Sequence, residues 1–432
     1  MADDSAHGVA MLVTSKGQLA YQADPFSCWV QSKTGAVIWR LVAVRFRDPS
    51  GQWHEVNRVG QVEQENDRCR LTLSGSQAAG VLAADFWVDD DTLAVRIEAL
   101  AGTQAEWVAV DLAAGADEHF LGFGERFDSL DQRGKEVDLY VVNGASGGRT
   151  YKPVPFYFST AGYGLRICTD VRCVARLATV DDPSVVSIRN QAPSLEMRLI
   201  LGDSPKQILS HYTRFTGKPP LPPAWVFGPW KSRDWTAEDR STVLEDVDEV
   251  RRNRLAGTVK LIDAAWEPYL HSFTFAEDKF PDAEGLIRYV RSQGFRMVLW
   301  VAPWMVKYDP PSEAYEYCAR NGYLIRNSQG EVYVHRLGNS PNFLGSCIDF
   351  TNPEAVAWWQ EKIQRLVRMG VDGFKTDFGE QVPEDARFYD GRTGRELHNI
   401  YPRLYNRATY EAMSRETHGV LLARSAWDGS QA

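Results

Sequence analysis

The first half of the chain alternates apolar and polar residues in short runs, which is the pattern of strands with one buried face. These runs lie at residues 36–46, 68–73, 86–97, 163–168 and 195–201. Turn-forming groups such as Asp48-Pro-Ser-Gly51 and Asp89-Asp-Asp91 interrupt the pattern. We therefore predict an N-terminal antiparallel β-sandwich domain over residues 1–218.

A proline-dense segment, Gly217-Lys-Pro-Pro-Leu-Pro-Pro223, ends this half. Because proline cannot donate a backbone hydrogen bond, the segment continues neither a helix nor a central strand and is typical of a linker. Beyond it, strand-like runs alternate with helix-like stretches, and the runs lie at residues 224–230, 258–263, 297–302, 373–378 and 420–423. This order predicts parallel strands with crossover helices over residues 219–432, in a doubly wound sheet or a TIM barrel.

The clearest helix prediction covers residues 353–369. Asn352 is placed to cap it, Pro353 suits its first turn, and apolar residues recur at helical spacing. Those apolar residues are Val356, Trp359, Ile363, Leu366 and Val367. A closed barrel needs eight strands, and the pattern supplies five, so we expect an open fold or a barrel that is incomplete in this chain.

Composition and charge exclude several functional classes. The 432 residues are 44% hydrophobic and 24% charged, which suits a globular protein of more than one domain. A formal charge of -9 without a concentrated basic stretch argues against a nucleic acid partner. The longest uncharged apolar run, residues 297–306, is too short for a membrane span. Six dispersed cysteines and a start without a signal-peptide pattern predict a cytoplasmic protein with reduced thiols.

No metal or cofactor is expected. Cys168 and Cys173 stand close in the sequence, but no second Cys or His pair has ligand spacing. The segment Gly122-Phe-Gly-Glu-Arg-Phe127 lacks the third glycine of a dinucleotide fingerprint. Gly144-Ala-Ser-Gly-Gly148 lacks the Lys-Ser/Thr of a P-loop. Both segments are interpreted as turns or loops.

Candidate chemistry lies where the predicted barrel strands end, because catalytic groups of parallel barrels project from that edge. The polar and aromatic residues at these ends are Lys231, Asp263, Trp300, Trp304, Lys375, Asp377 and Arg424. Alternation puts Lys375 and Asp377 on one face of their strand, pointing to the barrel axis. A carboxylate beside an ammonium stays ionised, as a nucleophile must. A buried salt bridge that closes the barrel explains the pair equally well.

The neighbouring residues also have two interpretations. Asp263 binds a sugar hydroxyl or, as the residues alone favour, caps the following loop. Arg424 clamps a ligand oxygen or pairs structurally with Asp377. The 14 tryptophans offer stacking surfaces for pyranose rings, although most tryptophan in proteins fills cores.

The segment Lys375-Thr-Asp-Phe-Gly-Glu380 resembles the nucleophile segment of glycoside hydrolase family 31, especially its bacterial α-xylosidase and α-glucosidase branch. Further stretches agree with the family in order, namely Gly122-Phe-Gly-Glu-Arg-Phe127, Tyr151-Lys-Pro-Val-Pro-Phe-Tyr157, Tyr212-Thr-Arg-Phe-Thr-Gly217, Leu221-Pro-Pro-Ala-Trp225, Asp349-Phe-Thr-Asn-Pro353 and Ala423-Arg-Ser425. The resemblance implies a β-sandwich followed by a (β/α)8 TIM barrel. The chain would hold the first five β/α units, with a lobe inserted at about residues 307–344.

The resemblance also implies residue roles and a reaction. Asp377 would be the nucleophile, Glu380 a supporting carboxylate, and the substrate-binding residues would be Asp263, Trp266, Trp300, Trp304, Lys375 and Arg424. The implied reaction is retaining hydrolysis of non-reducing-end α-glucosyl or α-xylosyl residues, in small glycosides or oligosaccharides, through a covalent glycosyl-enzyme. The family's acid/base aspartate follows the Arg-Ser segment beyond Ala432, and Asp428 does not match its context. The chain alone is therefore expected to be inactive.

Four points stay open in the sequence. Ala264 and Ala265 stand where the α-xylosidase branch has bulkier residues, and the region around Asn143 also departs from xylosidases, which together favour an α-glucosidase. A catalytically disabled carbohydrate-binding protein on the same fold is the alternative, although the intact Lys375-Thr-Asp377 argues against it. A phosphate-binding barrel enzyme would need a glycine-rich loop outside this chain. A homo-oligomer is compatible with the sequence, which does not fix the oligomeric state.

Overall fold

The structure is a computed structural model, and it describes residues 9–14, 16–75, 80–90, 92–144, 146, 148–234, 238–264, 266–338 and 342–432. Ala265, which the sequence analysis uses to choose the sugar, lies outside the described residues. The chain divides into two compact units. One unit is Met1–Tyr140 with Gly144–Lys218, and the other is Val141–Asn143 with Pro219–Ala432.

Where the structure describes it, the first unit consists of strands and one helix. The strands are β1 (Val9–Val13), β2 (Gly17–Ala23), β3 (Phe26–Ser32), β4 (Val37–Arg47), β5 (Trp53–Val56), β6 (Arg58–Glu65), β7 (Arg68–Ser74), β8 (Val81–Asp89), β9 (Thr92–Ala99), β10 (Trp107–Ala113), β11 (Phe120–Gly124), β12 (Glu136–Leu139), β13 (Pro153–Ser159), β14 (Tyr163–Cys168), β15 (Cys173–Leu177), β16 (Val185–Asn190) and β17 (Ser194–Leu201). One sheet has the order β1-β2-β3-β4-β10-β16-β15-β12 with β5 paired to β4, and the other has the order β11-β13-β14-β17-β9-β8-β7-β6. The predicted antiparallel sandwich is confirmed.

Alternation along the sequence located six of these strands, namely β4, β7, β8, β9, β14 and β17. The run at residues 86–97 belongs to two strands, β8 and β9, which pair antiparallel across a turn. Asp90 in this turn has a φ of 46°, a left-handed conformation that aspartate tolerates better than most residues. The helix of this unit is α1 (Pro205–Thr216), whose Tyr212 ring stacks on Phe156 with 4.1 Å between ring centroids.

Among its described residues the second unit contains five parallel strands. Its elements are a 3-10 helix (Ala224–Phe227), β18 (Trp230–Lys231), α2 (Arg240–Arg252), β19 (Val259–Ile262), α3 (Ala283–Ser292), β20 (Arg296–Val301), β21 (Trp304–Val306), α4 (Glu313–Arg320), β22 (His335–Arg336), β23 (Leu344–Cys347), α5 (Pro353–Arg368), β24 (Gly373–Thr376), α6 (Gly394–Leu397), α7 (Tyr401–Ser414) and β25 (Val420–Ala423). The parallel sheet has the order β18-β19-β20-β24-β25. Because these strands follow the chain order, they match a barrel and lack the reversal of a doubly wound sheet.

One strand prediction was wrong in extent. The apolar run at residues 224–230 forms a 3-10 helix over Ala224–Phe227, and only Trp230–Lys231 is extended in the sheet. Gly228 and Pro229 separate the two parts. Pro229 cannot donate to a sheet ladder, so the strand begins after it.

The region between β20 and β24 holds additional structure. Strands β21, β23 and β22 form a small antiparallel sheet in that order, and α4 lies between β21 and β22 in the sequence. Gln381, which follows β24 in the chain, pairs with the backbone of Gly338 in this region. Its side chain accepts from Gly338 N at 2.8 Å and donates to Gly338 O at 2.9 Å.

The predicted helix at residues 353–369 is confirmed as α5. The Asn352 side chain accepts a hydrogen bond from the Glu354 amide at 2.9 Å, as expected for an N-cap. Trp359 is buried in the contact with α7, where its indole donates to Thr409 Oγ1 at 3.0 Å. Across the described ranges α5 is the longest helix, and no helix there has the length and apolar character to cross a membrane.

The parallel register places the candidate residues at one edge of the sheet. Trp300 of β20 pairs with Lys375 of β24, while Asp263, Asp377 and Arg424 each directly follow or end a strand. An apolar cluster lies on the same face, nearer the N-terminal ends of these strands. It consists of Val259, Leu261 and Val298, which pack with Trp225 and Trp230. We call this apolar cluster the floor. Side chains alternate along a strand, so every second residue lies on the same face. The strand residues of the floor therefore stand two or four positions before the candidate residue at the end of their strand.

A buried charge cluster lies on the opposite face of β19. Lys260 has 0% exposure, and its Nζ contacts Glu238 and lies 2.9 Å from Asp246 Oδ2 on α2. Burial raises the pKa of Glu238, and the Lys260 ammonium opposes that rise. The other Glu238 oxygen accepts from the Asp263 backbone amide at 3.2 Å. The cluster therefore ties the start of the loop after β19 to helix α2.

That loop contains two further buried titratable groups, Glu267 and His271. Glu267 Oε2 accepts from Phe273 N at 2.5 Å, and burial raises the pKa of Glu267 to about 8. The His271 ring lies 5.8 Å from the Trp300 ring and 6.2 Å from the Trp304 ring, between centroids. Burial lowers the pKa of His271 to about 3. Both side chains are therefore largely neutral near pH 7.

Replacing Lys260 by methionine should destabilise the second unit. The Lys260→Met variant leaves Glu238 and Asp246 buried without the ammonium, which we expect to lower the free energy of unfolding by about 3 kcal/mol. Urea unfolding followed by tryptophan fluorescence measures this loss. The control is Arg368→Met, which breaks an exposed pair with Glu416 at 2.8 Å and should cost less than about 1 kcal/mol. Equal losses in both variants would contradict the interpretation that Lys260 compensates two buried carboxylates.

The Glu267 carboxyl should make stability fall with rising pH. Its pKa is raised in the folded state, so its contribution is full below the unfolded value of 4.5 and is lost as the pH rises to about 8. The pKa of His271 is lowered in the folded state, so this residue makes stability rise with pH between about pH 3 and 6.5. Between pH 6.5 and 8 we therefore expect Glu267→Gln to remove a slope of up to about 1.4 kcal/mol per pH unit.

Urea midpoints measured at several pH values report this slope. The control is His271→Gln, which should alter the pH dependence below about pH 6.5 and keep the alkaline decline. An unchanged alkaline slope in Glu267→Gln would show that other groups cause it.

Candidate active site

Asp377 is the centre of the candidate site. It directly follows β24 and is 7% exposed. Its Oδ2 accepts from Trp300 Nε1 at 2.7 Å and lies 3.8 Å from Lys375 Nζ. Its Oδ1 accepts from the Phe378 amide at 3.0 Å and lies 3.2 Å from an Arg424 guanidinium nitrogen. Donors and cations thus compensate the negative charge on both oxygens of this nearly dry carboxylate.

Lys375 bridges two carboxylates. Its Nζ lies 2.7 Å from Asp263 Oδ2, closer than to Asp377. The other oxygen of Asp263 accepts from the Ala264 amide at 2.8 Å, so Asp263 does cap its loop. Since each carboxylate oxygen has two acceptor positions, this cap and the ion pair leave capacity for a sugar hydroxyl.

Arg424 is held by Glu380 and reaches Asp377. Its Nε and one terminal nitrogen bind the two Glu380 oxygens at 2.8 and 3.2 Å, which is a bidentate pair. Burial raises the pKa of Glu380, and the guanidinium opposes that rise. The remaining terminal nitrogen points to Asp377. The structural pairing of Arg424 with Asp377 considered from the sequence is therefore present.

Three tryptophans form a wall beside Asp377. Trp266, Trp300 and Trp304 are all almost fully buried. The Trp266 indole donates to the Trp300 backbone carbonyl at 2.9 Å. Of the three, Trp300 supports the carboxylate directly, through its hydrogen bond to Asp377. Contact of these indoles with a sugar stays a prediction.

Phe378 belongs to the site, although its sequence context predicted no role for it. Its ring contacts the Arg424 guanidinium, with Arg424 Cζ 3.8 Å from the ring centroid, and the Trp304 ring at 4.3 Å between centroids. The only sequence signal was its place directly after Asp377. From the sequence, a phenylalanine in that place cannot be distinguished from an ordinary core residue. Its contact with Arg424 is visible only in the structure.

Two further polar residues of this unit are Lys231 and Asp428. Lys231 lies 3.5 Å from Asp246 Oδ1, in the buried charge cluster of Lys260. Asp428 is buried, and its backbone carbonyl accepts from Arg403 at 2.9 Å. Among the described residues, no group of three or more His, Cys, Asp or Glu side chains is arranged to hold a metal ion.

Solved structures show the same fold. A family 31 sulfoquinovosidase from E. rectale, in complex with an aza-sugar inhibitor, matches 95% of this chain and 67% of its own with a TM-score of 0.79 at 19% identity. A Flavobacterium johnsoniae family 31 dextranase complexed with glucose matches 96% of this chain and 53% of its own, with a TM-score of 0.72 at 19% identity. At this identity the likeness establishes the fold alone.

Curated relatives are more similar in sequence. The α-xylosidase XylQ of Lactiplantibacillus pentosus is 35% identical over 331 residues, which cover 75% of this chain and 42% of that protein. An α-xylosidase of Emericella nidulans is 32% identical over 74% of this chain and 41% of its own. The α-glucosidase 2 of Bacillus thermoamyloliquefaciens is 28% identical over 73% of this chain and 42% of its own. The chain thus spans less than half the length of these relatives.

Family models match both units. The glycosyl hydrolase 31 N-terminal galactose mutarotase-like domain matches residues 18–169. The glycosyl hydrolases family 31 TIM-barrel domain matches residues 219–432, of which the structure shows five parallel strands. With both domain models matched in the family's order and the charged strand ends gathered at one edge, this chain belongs to glycoside hydrolase family 31.

Proposed function

We propose that this chain carries the nucleophile of a retaining, exo-acting α-glycosidase that cleaves non-reducing-end α-glucosyl or α-xylosyl residues. The observation that carries the proposal is the setting of Asp377. Its carboxylate ends a parallel strand, and its two oxygens are oriented by an indole, a backbone amide and two cations. Such orientation suits a nucleophile better than a salt bridge that only closes the barrel.

In the first step an Asp377 oxygen forms a bond to the anomeric carbon as the bond to the leaving oxygen breaks. The carboxylate loses its charge on forming the ester and regains it when water releases the sugar. Lys375 and Arg424 lie where that charge returns, so they stabilise the departing carboxylate. A second carboxyl group must protonate the leaving oxygen and then activate water. The proposal assigns that role to no residue of this chain.

Asp263 is proposed to hold the non-reducing-end hydroxyls. Its carboxylate is fixed by the Ala264 amide and Lys375, and 14% of its side chain stays exposed. Two hydroxyls on adjacent sugar carbons suit the two oxygens of such a carboxylate. The dispersed cysteines support a reducing, cytoplasmic location as part of the same proposal.

Two observations bear on the sugar, and they favour different ones. Ala264, the described neighbour of Asp263, is small, which favours room for the hydroxymethyl group of a hexose. The relatives at 35% and 32% identity are both α-xylosidases, which favours a pentose. We propose the glucosyl unit as the substrate and the xylosyl unit as the second candidate.

Paired substrates distinguish the two sugars. With 4-nitrophenyl α-glucoside and α-xyloside, kcat/KM of the native protein should be at least about 10-fold higher for the glucoside, because small residues leave the hydroxymethyl pocket open. Steady-state release of nitrophenol measures the ratio. A preference for the xyloside would establish the second candidate and refute the first.

A 5-fluoro-α-glucosyl fluoride tests the nucleophile directly, since fluoride leaves without protonation and the second carboxyl group is bypassed. Peptide mapping of the native protein should find the label on Asp377. The Asp377→Asn variant should lose turnover by more than about 1,000-fold and should not be labelled. The matched control is Asp372→Asn, at the opposite end of β24, where Asp372 binds Arg291 at 3.1 Å. This variant should label normally.

The same experiment separates the alternatives. A label on another residue would defeat the assignment of Asp377. Reversible binding of the fluorosugar without any label would support the disabled carbohydrate-binding protein instead.

A further inference from the structure

The backbone of Phe378 is held in an unfavourable conformation. Its φ is 60°, in the left-handed region that a bulky side chain rarely adopts. The Ser425 hydroxyl donates to the Phe378 carbonyl, and Gly379 follows with a φ of 107°. Such a conformation persists only where the surroundings enforce it, and it is common at functional sites. The amide of this same residue donates to Asp377 Oδ1 at 3.0 Å.

The Phe378 ring restrains Arg424 from a different direction. The guanidinium is planar, and its bonds to Glu380 and Asp377 act through nitrogens within that plane. The aromatic ring attracts the cation to its face, with Arg424 Cζ 3.8 Å from the ring centroid. Ion pairs thus set the direction of the guanidinium, and the ring limits its tilt.

The ring is itself fixed. Phe378 is buried and packs on Trp304 at 4.3 Å and near Trp300 at 6.5 Å between centroids. Trp300 donates to the other Asp377 oxygen. A single residue therefore contacts the groups that hold both oxygens of the carboxylate.

We propose that Phe378 is a positioning residue, which keeps Arg424 in place over Asp377 and so aligns the nucleophile. The inference rests on the proposed function and deepens it. If Phe378 were only core filler, any apolar side chain of similar volume would serve equally well.

The test measures the rate at which 5-fluoro-α-glucosyl fluoride labels the native protein. Phe378→Leu keeps an apolar side chain and removes the aromatic face, and its maximal labelling rate should fall by about 30-fold with little change in fluorosugar binding. Phe378→Tyr keeps the face and should stay within about threefold of the parent. If Phe378→Leu fails to fold, Phe378→Met provides the same comparison.

Phe273→Leu is the matched control. Phe273 is also buried, has a φ of 56° and packs on Trp359 at 5.1 Å between centroids. No cation lies over its ring among the residues that the structure describes. Its labelling rate should stay within about threefold of the parent. A loss equal to that of Phe378→Leu would mean that general loosening of the core explains both.

A double-mutant cycle tests whether Phe378 acts through Arg424. Arg424→Lys removes the planar cation, so adding Phe378→Leu to it should cost no more than about a further threefold. A full 30-fold loss in both backgrounds, or no rescue by tyrosine, would overturn the inference while the label on Asp377 stood. A parent protein that takes no label at Asp377 would overturn the proposed function, and this inference with it.

Discussion

A carboxylate that is almost out of contact with water must have its charge compensated, and this requirement organises the second unit. The compensation extends beyond one partner, because a buried cation needs its own counterion. Carboxylates and cations therefore alternate across the strand ends in the order Asp263, Lys375, Asp377, Arg424 and Glu380. Each cation lies between two carboxylates, so displacing any member leaves a neighbour uncompensated.

The parallel sheet supplies the geometry that this row requires. Strands in register end at one edge, so residues far apart in sequence meet there without long loops. The floor fills the space below them with apolar side chains. On the outer face of β19, Glu238 and Lys260 link the Asp263 backbone to Asp246 on α2. The polar row is thus supported by packing on one face of the strand and by a second ion cluster on the other.

The aromatic residues have a supporting role in this arrangement. The wall of Trp266, Trp300 and Trp304 is buried and orients Asp377 through one indole hydrogen bond. Phe378 joins that wall to Arg424. This division resembles the usual construction of preorganised sites, in which apolar groups exclude water and a few polar groups carry the chemistry. Membership of family 31 and the proposed role of Asp377 are consistent with it.

The sequence by itself determined the antiparallel strands of the first unit, the parallel strands with crossover helices of the second, the helix that Asn352 caps and the strand ends that carry charge. These follow from local rules: the period of apolar residues, the missing donor of proline and the capping preference of asparagine. It did not determine that Lys375 lies closer to Asp263 than to Asp377, or that Phe378 contacts Arg424. Those facts were decided by the tertiary structure, because partner choice and burial depend on distances across the sheet between residues more than forty positions apart, which local pattern does not encode.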